Sequence, residues 1–274
     1  MSTRLPSTIT LSLEEFSRHG GQTGPHKDGW GIAWYEHGDV HLLKEASSAS
    51  NSRTMQFVKD NPFHSALVLC HIRKATQGDV ASRNCQPSLR ELGGVWHSFA
   101  HNGNLKGLQH DPRFNVSSFQ PIGETDSEYA FCALMERMQT LWRSGQRPTY
   151  EARRDVVRVF AGDLRDTGPA NFFYSDGEVL FAHGHQRHHA DGTIRAPGLW
   201  RLTRHCTEGG VFEGSGLHVA ARGAEQDVVL LASVPLSQED WQPLDEGEVI
   251  SVRLGRTLST GTFGGSLLSA ETVL

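Results

Sequence analysis

The chain of 274 residues predicts an α+β domain. Three observations lead there. Short apolar runs of strand length recur along the sequence, parted by Gly, Asn and Asp turn signals. Only a few segments carry helical periodicity, and two of them follow capping-box patterns. No internal repeat or low-complexity linker divides the sequence, so residues 1–274 read as one domain, with 143–148 the only candidate seam.

Taken in order, Ser12-Leu-Glu-Glu15 is the first capping box, and Gly20-Gly21 closes the short helix it opens. Residues 29–36 and 40–45 read as two strands joined around Gly38. A helix is expected over 50–60, with Met55 and Val58 on one side, ending before Pro62. The apolar run 66–72 suits a strand buried on both faces, and 95–100 forms a further strand. Thr125-Asp-Ser-Glu128 opens a stronger helix whose Ala130, Leu134, Met138 and Leu141 fall at helical spacing. Residues 150–164 give another, amphipathic through Val156, Val157 and Phe160. Strands at 171–175 and 178–182 flank Asp176-Gly177, a two-residue hairpin signal, and 199–203, 227–233 and 248–254 complete the set.

Composition excludes several classes. With 37% hydrophobic and 21% charged residues the chain is of globular type, and its net charge of -5 offers no basic footprint for nucleic acid or acidic membrane. No apolar run approaches the ~20 residues that span a bilayer. The opening Met1-Ser-Thr-Arg-Leu-Pro6 lacks the apolar stretch of a secretory signal. Cys70, Cys85, Cys132 and Cys206 are widely spaced with no C-x-x-C pair, so they read as reduced thiols in a cytoplasmic protein.

Three polar motifs carry the chemistry: His71-Ile-Arg-Lys-Ala-Thr-Gln-Gly78, Ala100-His-Asn-Gly-Asn104 and Glu124-Thr-Asp-Ser-Glu128. Arg73 stands where an apolar strand meets a loop, a place for bidentate capture of a carboxylate or for a structural ion pair. Asp126 stands in the first turn of a capped helix, where it can hold an ammonium or simply complement the helix dipole. Asn102-Gly103 is either a hairpin turn or an amide and backbone N–H converging on an oxyanion.

In combination, these motifs and Gly20-Gly-Gln-Thr-Gly-Pro-His-Lys-Asp-Gly-Trp-Gly-Ile-Ala33 and Asn171-Phe-Phe-Tyr-Ser-Asp-Gly177 resemble the class II glutamine amidotransferases, the N-terminal-nucleophile type. The likeness is greatest to small stand-alone bacterial members and runs from about residue 5 to 252. It implies a four-layer α/β/β/α sandwich of two antiparallel sheets. It implies that Arg73, with Thr76, binds the α-carboxylate of glutamine and Asp126 its α-ammonium. Asn102 and Gly103 would form the oxyanion hole, and Asp28 to Gly31 the pocket wall, with Trp30 near the substrate. No cofactor is implied. The substrate would be glutamine or a related γ-glutamyl amide, and an ammonia-accepting partner enzyme is needed unless the protein acts as a plain hydrolase.

The family's attacking group is an N-terminal cysteine whose own α-amino group serves as base. Here Met1 falls several residues after that position, and none of the four cysteines replaces it in register. A start codon assigned too late is the first explanation, true loss leaving an amino-acid sensor the second, and Ser2 as nucleophile the third. Two further departures are Asn84-Cys-Gln-Pro-Ser88, where the family usually shows Asn-Thr-His-Pro-Phe, and Ser233-Val-Pro-Leu236 for Ser-Glu-Pro-Leu. The cluster His183-Gly-His185 with His188-His189 invites a metallohydrolase reading, but it lacks an Asp, Glu or Cys at zinc spacing and reads as a solvated loop.

Overall fold

The computed structural model describes residues 1–8, 11–142, 146–189, 191–206 and 225–262, without the side chains of 8, 11 and 12. The candidate seam at 143–148 therefore lies partly outside the described residues. The chain opens with β1 (Ser2–Thr8), α1 (Leu11–His19), β2 (Trp30–Glu36) and β3 (Asp39–Glu45). The β2–β3 turn takes positive φ at His37 and Gly38, as a two-residue hairpin requires. Next come α2 (Arg53–Asp60), capped by Ser52 through Met55 N–H, and β4 (His64–Ile72). They are followed by β5 (Ser88–Leu92), β6 (Val95–Gly103), α3 (Asp126–Gln139) and α4 (Tyr150–Arg165). The remainder is strand: β7 (Ala170–Ser175), β8 (Leu180–Gly184), β9 (Arg187–His188), β10 (Ile194–Arg195), β11 (Trp200–Cys206), β12 (Gln226–Ala232), β13 (Gln242–Pro243), β14 (Glu248–Arg253) and β15 (Arg256–Ser259).

Two antiparallel sheets result, one ordered β13-β11-β12-β1-β4-β2-β3 and the other β15-β14-β8-β7-β6-β5. Alternation along each strand fixes what each face meets. Leu67 and Leu69 of β4 and Val229 of β12 meet Leu180, Ala182, Ile250 and Val252 between the sheets. Trp30, Ile32 and Val68 turn the other way, toward Leu13 of α1 and Met55 and Val58 of α2. On the far side Phe99, Phe172, Tyr174 and Phe181 pack on α3 and α4 through Phe131, Leu134, Val157 and Phe160. The order is helices, sheet, sheet, helices: the four-layer sandwich.

Some elements differ from expectation. β1 is a central strand although its sequence, Ser-Thr-Arg-Leu-Pro-Ser-Thr, carries no apolar alternation. Its polar groups are satisfied within the strand and from β12, Thr3 Oγ1 donating to Leu5 O (2.7 Å) and Leu5 N to Gln226 Oε1 (2.8 Å). β5 was not expected either. Asp176-Gly177 is no two-residue turn: Asp176 accepts from the amides of Glu178 and Val179 (3.0 Å each) and also pairs with Arg153, widening the loop to 176–179. Leu141 falls beyond the end of α3.

His97 and His183 are sealed in the helix-facing side of the second sheet. His97 bonds Tyr174 Oη (2.7 Å) and His183 bonds Ala170 O (2.6 Å), and both are 0% exposed. Burial pushes His97 down to about 4 and His183 to about 3. Each stays neutral in the fold while its unfolded counterpart gains a proton below about pH 6.5. Stability is therefore complete above pH 6.5 and falls as pH drops toward 4, by up to ~1.4 kcal/mol per pH unit for each residue. Urea titrations at pH 7.5, 5.5 and 4.5 should show this fall, with a shallower slope in His183→Gln; equal slopes for the two proteins would contradict it.

Candidate active site

The ends of β2, β4 and β6 and the N-terminus of α3 meet at one end of the sandwich. The β2–β4 ladder continues past its strands there: Arg73 N donates to Gly29 O (2.7 Å), Asp28 N to Arg73 O (3.0 Å), and Ala75 N to the Asp28 carboxylate (2.8 Å). Arg73 is 4% exposed. Its guanidinium donates to Asp79 O (2.9 Å), Gln77 O (2.8 Å) and Gly78 O (3.1 Å), so three of its five N–H groups hold the following loop and two remain. Thr76 lies exposed on that loop.

At the end of β6, Asn102 is exposed and Gly103 half-buried. Their backbone is held from two sides. The Gln86 side chain accepts from His101 N (2.6 Å) and donates to His101 O (3.2 Å), while Asn171 Nδ2 donates to Asn102 O (3.1 Å). A Cβ at Gly103 would run into the Pro169 carbonyl oxygen, so only glycine permits this approach. Gly31 has the same relation to Gln86 O, which lets the 85–86 segment lie flat on β2.

Thr125 caps α3 by accepting from Glu128 N (3.2 Å). The Glu128 carboxylate reaches Gly123 N (2.7 Å) and Arg90 (2.6 Å), so the capping box is only half closed. Asp126 accepts from Leu105 N (2.6 Å) and Ser127 N (2.8 Å), and its own N–H faces Gln77 Oε1 (3.3 Å). Ser127 Oγ meets His101 Nδ1 at 2.9 Å. Gln77 thus links Arg73 to Asp126, and the Ser127–His101 bond links Asp126 to Asn102. The three motifs share one network. Burial also pushes His101 down, opposed by Asp126, and pushes neighbouring His71 down to about 3.

Trp30 requires a correction. It is 0% exposed and packed toward α1 and α2, because β2 alternation turns it away from the space that Gly31 faces. It has no surface to offer a substrate. The histidine cluster is corrected too: His183 belongs to buried β8 and His185 is 7% exposed, so the apolar sheet face, not solvent, surrounds half the run. Among the described residues no group of three or more His, Cys, Asp or Glu is placed to hold a metal ion.

The cysteines are held as thiols. Burial pushes Cys70 up to about 12 and Cys132 to about 11. Cys85 lies against Gly29, 0% exposed, and its thiol too is pushed up by burial. Ser2 is 3% exposed and pairs with Leu67, six residues along β4 from Arg73, roughly 20 Å at strand rise. The direction of β1 matters more than its residues. It runs antiparallel to β4 with its N-terminal end pointing toward Arg73, and Met1 N donates to Val68 O (2.8 Å).

The model of the class II glutamine amidotransferases matches residues 1–269. The chain belongs to the class II glutamine amidotransferases. It is 35% identical over 252 residues to YafJ of Escherichia coli (strain K12), covering 90% of this chain and 93% of YafJ. The crystal structure of a "predicted glutamine amidotransferase" from Pseudomonas aeruginosa PA01 is similar with a TM-score of 0.67 at 29% identity, over 94% of this chain and 97% of that one. The glutamine phosphoribosylpyrophosphate amidotransferase of Bacillus subtilis shares the fold alone, with a TM-score of 0.56 at 15% identity over 94% of this chain and 46% of that one. Among the described residues no helix is long and apolar enough to cross a membrane.

The double clamp on the Asn102-Gly103 turn by Gln86 and Asn171 escaped the sequence reading. Its visible signals were the departure at Cys85-Gln86 from the family's Thr-His and the run that opens at Asn171.

Proposed function

We propose that this site binds the γ-glutamyl group of glutamine or of a related amide and hydrolyses the side-chain amide. The observation that carries the reading is the Arg73–Gln77–Asp126 and Ser127–His101 network, which holds a guanidinium, a carboxylate and an amide-bearing turn at one end of the sandwich. In this reading the two uncommitted N–H groups of Arg73 and the Thr76 hydroxyl take the α-carboxylate, and Asp126 takes the α-ammonium. The Asn102 amide and the Gly103 N–H stabilise the oxyanion as the amide carbonyl is attacked. Trp30 takes no part.

The attacking group would arrive along β1. In the Ser2–Leu67 register each residue added before Met1 reaches one residue further along β4, and the fifth is level with Arg73. A cysteine there would place thiol and α-amino group beside the oxyanion turn. The protein expressed with the in-frame codons that precede Met1 in its gene should release glutamate from glutamine, and Arg73→Ala should abolish the release. Glutamine binding without glutamate release would instead favour the amino-acid sensor.

A further inference from the structure

Beside the oxyanion turn stands a cation that the proposed reaction leaves unused. Asn171, which donates to Asn102 O, donates also to Gln186 O (2.7 Å) and accepts from His185 N (2.8 Å). One side chain therefore ties the 185–186 segment to the turn, and β9, which starts at the next residue, packs on β6. That next residue is Arg187. It is half-buried, and its Nε is shut off from solvent with no hydrogen-bond partner. Its cross-strand neighbour is another cation, Arg195, whose own guanidinium is taken by Asp191 at 3.0 Å. Among the described residues no carboxylate pairs with Arg187. Burial and Arg195 both lower its proton affinity.

A partly desolvated guanidinium without a counter-ion is costly and accepts an oxyanion in fork geometry. Its place indicates which oxyanion. The α-carboxylate and α-ammonium of the γ-glutamyl group are assigned to Arg73 and Asp126, and the scissile carbonyl to Asn102 and Gly103. Arg187 directly follows the segment that Asn171 ties to the Asn102 carbonyl, so it stands next to the assigned carbonyl end, from which the amine half of the amide would depart. We infer that Arg187 is an anion-recognition residue for the leaving amine, and that the preferred substrates are γ-glutamyl amides whose amine half carries a carboxylate. This inference rests on the γ-glutamyl reading above.

Two ligands that differ only in that charge test it: γ-glutamylglycine and γ-glutamylglycinamide. Calorimetric titration of the full chain should give at least tenfold tighter binding of γ-glutamylglycine. Arg187→Gln should bring the two ligands within about twofold while leaving glutamine affinity within about twofold of its original value. Arg187→Met, which removes the unpaired cation but keeps an apolar stem, should melt no lower than the parent, and it provides the second variant if Gln is poorly tolerated. Equal affinities for the two ligands in the parent, or a preference that survives Arg187→Gln, would overturn the inference while leaving the γ-glutamyl reading intact. Failure of all three ligands, glutamine included, would instead overturn the γ-glutamyl reading itself.

Discussion

In the protein expressed with the codons that precede Met1, Gly103→Ala is expected to lower glutamate release by about 100- to 1,000-fold, the loss seen when one oxyanion donor is displaced. The cause is steric. The added methyl would occupy the space of the Pro169 carbonyl oxygen, which is backbone and cannot rotate aside. The turn must then move, carrying Asn102 away from the hydrogen bond that Asn171 makes to its carbonyl. Overpacking of this kind costs ~1–3 kcal/mol of stability, so the protein should still fold and its loss of turnover should exceed its loss of stability. Steady-state kinetics beside a urea titration separate the two. Unchanged turnover in a folded Gly103→Ala protein would remove the turn from the mechanism.

Arg73→Ala is the second large effect. Truncating one partner of a buried charge pair costs ~2–4 kcal/mol of binding, on the order of 30- to 1,000-fold in glutamine affinity. The variant should also lose stability, because the carbonyls of Gln77, Gly78 and Asp79 lose their charged donor. Arg73→Lys should recover little of either, since an ammonium cannot span three carbonyls and a carboxylate at once. Calorimetry with glutamine on both variants checks this, and parental affinity in Arg73→Lys would contradict the fork geometry.

The fold was legible where local chemistry and tertiary packing agree. The Thr125 cap, the His37-Gly38 turn and the helical spacing of Ala130, Leu134 and Met138 lie on the surface of the sequence, and the elements stand where those signals put them. β1 was hidden because its pairing comes from strands more than fifty residues away, β4 and β12, and not from its own pattern. The three motif residues were visible by type, but their meeting depends on contacts no spacing reveals. The Ser127–His101 bond crosses 26 residues and the Gln77–Asp126 bond 49. Trp30 came only from the resemblance, whereas strand alternation turns its indole toward α1 and α2 and gives the Gln86 side to Gly31. His183 was misread because a polar run gives no hint that its first member caps Ala170 O inside the sheet.

A crystal structure of this chain with glutamate bound tests the central claim most directly. The account predicts the α-carboxylate on the Arg73 guanidinium, the α-ammonium on Asp126, and the side-chain carboxylate pointing at the Asn102 amide and Gly103 N–H. Glutamate bound at any other surface, or bound here without touching Arg73 and Asp126, would contradict it.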